Sequence, residues 1–214
     1  MFQTLMSKTF IILTASLAVA WLASMFSSRL YNNALQMQNY YAVKSYTTWA
    51  LIVNIGAFIL LMFLHATFPL NMLLMALFTA SSGFSLGVYF VAYKDTAQKA
   101  LALTVLTTLL TGLIAMYSGL DFAWMGKFLF IGLIVIVIYS IIRIFANIKG
   151  QRIMAGLGVL IFTGYLLFDF NRLAKLKAVA DANNWDTALN FAISIYLDII
   201  NLFISLMNLM SSNN

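Results

Sequence analysis

Two aspartates stand inside strongly apolar segments of this chain, where carboxylates are rare. Asp169 lies in YLLFDFNRL (residues 165–173) and Asp198 lies in SIYLDIINLF (residues 194–203). The whole chain has only six acidic residues. An ionised carboxylate at the centre of a membrane helix costs about 2.5 to 3.5 kcal/mol on insertion scales. This cost favours a functional reason for keeping both aspartates.

The spacing of the two aspartates predicts that they meet. Their midpoint falls inside DANNWD (residues 181–186), the turn-like stretch between the two apolar segments. If the second helix of this hairpin begins with Asp186 as its N-cap, each carboxylate lies about twelve residues, or ~18 Å, from the turn. We therefore expect Asp169 and Asp198 to face each other at one depth.

Two carboxylates in contact have a definite chemistry in a medium of low dielectric constant. They cannot both ionise cheaply, so the pair is expected to share a proton. A cation that prefers hard oxygen ligands, Ca²⁺ in particular, would compete with that proton. Asp169 and Asp198 are thus a candidate pH sensor and possible Ca²⁺ ligands, and no other cofactor is expected.

Neighbouring side chains on the first of these helices leave an alternative open. Tyr165, one turn before Asp169, could donate a hydrogen bond to the carboxylate. Arg172, three residues after Asp169, could instead simply neutralise it. The sequence predicts supporting roles for both residues and does not choose between a carboxylate pair and a local ion pair.

The composition indicates which medium surrounds this chain. Of the 214 residues 63% are hydrophobic and 8% are charged, and the mean hydropathy is +0.95. These values predict an integral membrane protein whose main partner is the lipid bilayer. The net charge of +6 comes from lysines and arginines scattered at the ends of apolar runs, which excludes nucleic acid as a partner. The chain has no cysteine, which excludes disulfides and thiolate metal sites.

Apolar runs of about 20 residues, the length that crosses a bilayer core, recur along the chain. Seven such spans are predicted at 9–27, 46–65, 70–92, 100–118, 123–146, 153–173 and 187–210. The connections are short, and Pro69 marks one of the turns. We therefore expect an all-α fold with one seven-helix transmembrane domain over residues 1–214. Gly83 and Gly87 form a GxxxG pattern that predicts close helix packing.

The seventh span has a polar seam. Its polar residues recur at helical spacing and share one face: Thr187, Asn190, Ser194, Asp198, Asn201, Ser205 and Asn208. Nearly every other position is apolar. This pattern predicts a central helix, surrounded by the others, that buries the seam against protein. Ser194 and Asn201, one turn on either side of Asp198, are candidates to support the carboxylate site.

The segments around the two aspartates also resemble a known family. GYLLFDFNRL followed by ALNFAISIYLDIINLFISLMNLM looks like the sixth and seventh spans of the transmembrane Bax inhibitor motif (TMBIM) family, in its bacterial, YetJ- and YccA-like branch. SGFSLGVYF (residues 82–90) and YSGLDFAWMGKFL (residues 117–129) are similar to its third span and to the loop and start of its fifth. The resemblance implies a central seventh helix and a pH-sensitive calcium leak. It also implies that Asp169 and Asp198 are the sensing dyad.

One departure from the family pattern opens a second functional alternative. Channel-type members are expected to carry an arginine in the second span that latches the dyad, but residues 46–92 contain no lysine or arginine. The latch is either absent or supplied by Arg172. YccA-type members resemble modulators of a membrane-bound AAA protease and need not conduct ions. Retention of both aspartates favours the conducting alternative.

Orientation and enzymatic activity are the remaining questions that the sequence addresses. Five lysines and arginines lie on the N-terminal side and seven on the opposite side, so the positive-inside rule decides little and leans weakly towards an N-terminus outside the cytoplasm. The resemblance implies a bacterial inner (plasma) membrane protein with a cytoplasmic N-terminus. The two aspartates lack the Gly-x-Gly-Asp and Pro-Ala-Leu contexts of intramembrane aspartyl proteases. We therefore expect no enzymatic activity.

Overall fold

The computed structural model describes residues 4–64, 67–146, 150–176 and 179–211. Within these ranges the chain forms seven long α-helices and no strand. They are α1 (Leu5–Gln36), α2 (Tyr40–Leu64), α3 (Leu70–Ala92), α4 (Lys94–Tyr117), α5 (Gly126–Phe145), α6 (Gln151–Leu176) and α7 (Trp185–Ser211). All seven are long and apolar enough to cross a membrane. The predicted all-α class with seven spans is confirmed, whereas the central position of α7 stays a prediction.

Five of the seven helices begin before the apolar spans predicted from the sequence, whereas α3 coincides with its predicted span and α5 lies inside its own. Helix α1 begins at Leu5 and runs on to Gln36, through the polar segment after residue 27, and α4 begins at Lys94 rather than near residue 100. Hydropathy marks only the part of a helix that lipid tolerates. The backbone hydrogen bonds of a helix continue into polar flanking residues, which therefore lengthen each helix at no cost in lipid exposure.

The first residue of α7 corrects one expectation. Asp186 is not the N-cap, because the helix already includes Trp185 and Asp186 lies in its first turn. The side-chain Oδ1 of Asn184 accepts a hydrogen bond of 2.8 Å from the backbone N of Thr187. An N-cap side chain reaches the amide three residues onward, and Asn184 has this spacing. Asp186 instead accepts a hydrogen bond from Asn71 Nδ2 at 3.2 Å.

The chain groups into two compact units. The first comprises Met1–Asp95 with Asn183–Ile193, and the second comprises Thr96–Ala182 with Ser194–Asn214. Helix α7 contributes its first residues to the first unit and the remainder to the second. The single domain over residues 1–214 stays a prediction.

In the first unit, α1 and α3 pack backbone to backbone. A Cβ built on Gly83 would collide with the backbone of Ala20, and one built on Gly87 would collide with the Ser27 hydroxyl. The GxxxG pattern therefore serves close helix packing, as predicted. Asn54 is the polar side chain that joins α2 to α3, because its Nδ2 lies 2.6 Å from the hydroxyl of Ser82.

In the second unit, small residues of α6 allow close packing on both sides. A Cβ on Gly164 would meet the side chain of Leu129 on α5, and one on Gly158 would meet that of Ser205 on α7. The aromatic ring of Phe170 lies against Gly112 of α4. These contacts fix the face of α6 that carries Asp169.

Candidate functional site

The carboxyl groups of Asp169 and Asp198 come together in the second unit. Asp169 on α6 is 5% exposed and Asp198 on α7 is 6% exposed. The two side chains are within hydrogen-bonding reach of each other. The structure thus brings together the two residues that the hairpin argument paired, and α6 runs to Leu176, three residues beyond its predicted span.

One oxygen of this pair has no conventional partner. Asp198 Oδ2 is buried and makes no hydrogen bond within the described residues. An unsatisfied buried acceptor costs about 1 to 3 kcal/mol, and more if it is charged. Two buried carboxyls in contact cannot both ionise without strong repulsion. The arrangement is therefore suited to taking up a proton or a cation.

Arg172 is an electrostatic neighbour of the pair rather than a buried partner. Its Nη1 lies 3.8 Å from Asp169 Oδ1, which is longer than a hydrogen bond, and its side chain is 53% exposed. The guanidinium also stacks over the ring of Phe168, 5.4 Å from the ring centroid. The two alternatives drawn from the sequence therefore coexist, since Asp169 has both a carboxyl and a guanidinium beside it.

Three other predicted site residues surround the pair without hydrogen bonds to it. Tyr165 is half-buried and close enough to interact electrostatically with both carboxyls. Ser194 and Asn201 are half-buried on α7, one turn on either side of Asp198. Within the described residues, none of the three donates a hydrogen bond to either carboxyl. Their supporting roles stay predictions.

The pair supplies two carboxyl groups as potential metal ligands within the described residues. Ca²⁺ takes six to eight oxygen ligands. The described ranges contain no group of three or more His, Cys, Asp or Glu side chains that could hold a metal. Two carboxyls offer at most four of these oxygens, so other ligands would have to complete the shell of a Ca²⁺ ion held there.

The polar seam of α7 is less buried than expected. Asp198 and Ser205 are buried, the seam residue Asn190 is exposed, and the other four members are half-buried. Apolar residues of α7 such as Ile195 and Leu202 are fully buried. The prediction that the seam is buried is therefore wrong at Asn190, and for the four half-buried members it stays a prediction. The apolar faces make the tight contacts, because they gain more free energy from packing than small polar groups do.

A residue that the sequence reasoning missed lies two positions after Asp169. Asn171 is buried, and its Nδ2 donates hydrogen bonds to the carbonyl oxygens of Ala115 at 3.2 Å and Leu120 at 2.9 Å. Its Oδ1 accepts a hydrogen bond from the backbone N of Phe122 at 3.3 Å. Asn171 therefore holds the α4–α5 loop (residues 118–122) against α6.

A second contact reinforces this attachment one turn further along α6. Lys175 forms an ion pair with Asp121 of the same loop, and both side chains are largely exposed. The hydrogen bond from Lys175 and a second one from the backbone N of Ala123 lower the pKa of Asp121. We call Asn171, Lys175 and Asp121 the loop clasp. Its only sequence signal was the family likeness of residues 117–129.

The fold and the site define a class of protein. Long apolar helices that can each cross a bilayer, with a buried carboxyl pair between two of them, are the features of a multi-pass integral membrane protein. The family model described as "Inhibitor of apoptosis-promoting Bax1" matches residues 2–214. The chain belongs to this Bax inhibitor family, as the resemblance predicted.

Individual relatives agree with this assignment. The chain is 30% identical to Protein LIFEGUARD 1 of Arabidopsis thaliana over 152 residues, which is 67% of this chain and 61% of the relative. It is 32% identical to an uncharacterised Helicobacter pylori protein over 181 residues, 82% of this chain and 76% of the relative. It is 30% identical to a Campylobacter jejuni protein over 216 residues, 97% of this chain and 87% of the relative. The chain thus spans less than two thirds of the LIFEGUARD 1 protein.

Proposed function

We propose that this membrane protein is a pH-gated cation leak whose favoured cargo is Ca²⁺ and whose gate is the carboxyl pair Asp169 and Asp198. One observation carries the proposal. Two buried carboxyls are within hydrogen-bonding reach, and one oxygen of Asp198 has no partner within the described residues. Buried ionisable groups in membrane helices mark ion or proton pathways.

The gate works by competition between a proton and a cation. A proton shared by Asp169 and Asp198 gives a hydrogen bond that joins α6 to α7. Loss of that proton leaves two adjacent negative charges, which repel each other and attract a divalent cation. The state of the pair, and with it the flux, then depends on both pH and Ca²⁺ concentration. The proposal needs no enzymatic activity and no resident cofactor.

A non-conducting role is the second candidate function. In this role the protein binds and modulates a membrane partner, such as a membrane-bound AAA protease. The observation that favours it lies in the second span, where residues 46–64 contain no lysine or arginine and the polar side chain Asn54 is bonded to α3. An arginine latch for the carboxyl pair is therefore missing from that helix.

Ion flux from the purified protein separates the two functions. We would measure Ca²⁺ entry into proteoliposomes between about pH 5 and 8 for the parent and for Asp198→Asn and Asp169→Asn. An amide keeps the shape of a protonated carboxyl and removes its titration, so both variants should lose the pH dependence and respond less to Ca²⁺. Asp95→Asn, at an exposed carboxylate in the first turn of α4, is the matched control and should behave as the parent.

Two outcomes would reject the gate. The first is a parent that conducts no Ca²⁺ at any pH, and the second is a pH profile that survives both substitutions. Either outcome would favour the non-conducting role. Retention of a purified partner protein on the parent would then be the next measurement.

Membrane and orientation belong to the same proposal. We place the protein in the bacterial inner membrane with a cytoplasmic N-terminus, so that the exposed loop residue Ser118 faces the cytoplasm and Met37 faces the opposite side. The chain has no cysteine, so Ser118→Cys and Met37→Cys each provide one thiol. A membrane-impermeant thiol reagent added to intact cells should label Met37→Cys alone. Labelling of Ser118→Cys alone would show that the topology is the opposite one.

A further inference from the structure

A cavity of about 400 Å³ opens between α5, α6 and α7 in the second unit. One of its walls is polar and includes Tyr139, Arg143, Gln151, Asn201, Ser205 and Asn208. Arg143 lies in the last turn of α5, Gln151 is the first residue of α6, and Asn208 lies near the end of α7. The polar wall therefore begins where three helices end, at the level of a membrane interface.

The charged group of this wall is held in a fixed orientation. Arg143 Nη2 donates a hydrogen bond of 2.7 Å to Gln151 Oε1, and Gln151 Nε2 lies 3.5 Å from Asn208 Oδ1. A guanidinium has five N–H donors, so this contact leaves several for a ligand. The lining of the cavity includes no carboxylate. Its charge therefore favours an anion and repels a cation.

A second donor in the lining has no partner. The hydroxyl of Tyr139, one turn before Arg143 on the same helix, is buried and makes no hydrogen bond within the described residues. A buried hydroxyl without a hydrogen-bond partner costs about 1 to 3 kcal/mol of stability, and native structures rarely contain one. An oxygen atom of a ligand beside Arg143 would complete this site.

The cavity also has a large apolar part, which extends along α5 away from the helix ends. Leu133 is about ten residues, or ~15 Å, before Arg143 along α5. Phe162 and Met154 of α6 add to the same apolar lining. The cavity therefore combines a charged group beside the helix ends with a large apolar surface that includes Leu133 and Phe162.

We propose that this cavity binds one anionic phospholipid, with its phosphate at Arg143 and Tyr139 and part of one acyl chain against the apolar lining. Basic pockets between transmembrane helices bind anionic headgroups in this manner, and guanidinium–phosphate hydrogen bonds are charge-assisted. A soluble phosphate ion would leave the apolar lining uncovered. The argument for this ligand does not rest on ion conduction, although the cavity lining includes Asn201, one turn from Asp198 on α7.

Lipid exchange in nanodiscs tests the site. We would measure by native mass spectrometry how many phosphatidylglycerol and phosphatidylcholine molecules the full chain retains from mixed bilayers. The parent should prefer phosphatidylglycerol, and Arg143→Gln should weaken that preference roughly tenfold, the loss expected for one hydrogen bond to a charged group. Tyr139→Phe should weaken it less, and Arg143→Lys should retain part of it.

Arg152→Gln is the matched control, because Arg152 is an exposed arginine next to Gln151 and is not part of the cavity lining. This substitution should change the preference for phosphatidylglycerol by no more than about twofold to threefold, because salt screens a charge at an exposed surface position. A parent without preference for phosphatidylglycerol would overturn the proposal, as would an equal effect of Arg143→Gln and Arg152→Gln. Displacement of the lipid by millimolar inorganic phosphate would reject the phospholipid as the ligand and indicate a site for free phosphate. If Arg143→Gln does not fold, Arg143→Lys and Tyr139→Phe decide the result.

Discussion

Arg172 Nη1 lies 3.8 Å from Asp169 Oδ1, one helical turn away on the same helix. The arginine side chain is 53% exposed, whereas that of the aspartate is 7% exposed. A partner so exposed is screened by water and contributes little to stability. Neutralisation through Arg172 therefore does not by itself explain the burial of Asp169, which also has the carboxyl of Asp198 within hydrogen-bonding reach.

A double-mutant cycle on Asp169 and Arg172 tests this view. We expect a coupling free energy of unfolding below about 1 kcal/mol, the range of solvent-exposed ion pairs. The measurement compares the parent, Asp169→Asn, Arg172→Gln and the double variant by denaturant unfolding in mild detergent. A coupling of about 3 kcal/mol or more would mean that the two residues form a buried ion pair.

Replacing Asn171 should destabilise the second unit. Asn171→Leu removes two hydrogen bonds from α6 to the α4–α5 loop and one to Ala115 of α4, which should cost about 1 to 3 kcal/mol in the free energy of unfolding. Asn190→Leu is the control, because Asn190 is exposed and makes no hydrogen bond within the described residues. Equal effects of the two substitutions would show that the loop is not held by Asn171.

The ion pair between Lys175 and Asp121, one part of the loop clasp, should make the stability of the fold depend on pH. The hydrogen bond from Lys175 lowers the pKa of Asp121 in the folded state. This contact therefore stabilises the fold above the ordinary pKa of an aspartate, and its contribution disappears as pH falls through the lowered pKa. Lys175→Met should move the pKa of Asp121 back towards its ordinary value and leave the stability at strongly acidic pH unchanged.

Carboxyl ¹³C NMR can follow this shift directly. The chain has six aspartates and no glutamate, so aspartate labelling gives few resonances. Lys127→Met removes an exposed lysine from the start of α5 and should leave the Asp121 titration as in the parent. If Asp121 titrates identically in the parent and in Lys175→Met, the ion pair does not form in solution.

Close packing of α1 and α3 predicts opposite results at two glycines. Gly83→Ala places a methyl group against the backbone of Ala20, and this overpacking should cost about 1 to 3 kcal/mol. Gly56→Ala on α2 meets nothing within 4 Å and should be neutral or stabilising by up to about 1 kcal/mol, because alanine favours a helix. Thermal unfolding of both variants measures the difference. A Gly83→Ala variant as stable as the parent would mean that α1 and α3 are further apart.

Much of this fold was predictable because lipid imposes a simple rule on sequence. A membrane helix must be apolar over about 20 residues, so all seven spans are visible as runs of hydropathy. The meeting of Asp169 and Asp198 was predictable for a related reason. A hairpin of two membrane helices places residues at equal distances from its turn at equal depth.

The polar seam of α7 and the loop clasp show where such reasoning ends. A helical wheel states which residues share a face, but not what that face meets, so the exposure of Asn190 could not be read from its spacing. Asn171 binds backbone groups of a distant loop, and backbone groups leave no signature in the sequence. The role of Asn171 depends on where α4 ends and its loop begins, and helix ends are the least predictable feature of a helix.

The loop clasp links the helix that carries Asp169 of the buried carboxyl pair to the loop between α4 and α5. Asp169 and Asn171 are on the same turn of α6, so an axial or rotational displacement of α6 that separates the carboxyls must also carry residues 118–122. The position of this loop would therefore report a displacement of α6 inside the bilayer. Leu120 is exposed, and a fluorophore or spin label there would report the position of α6 in real time without touching either aspartate.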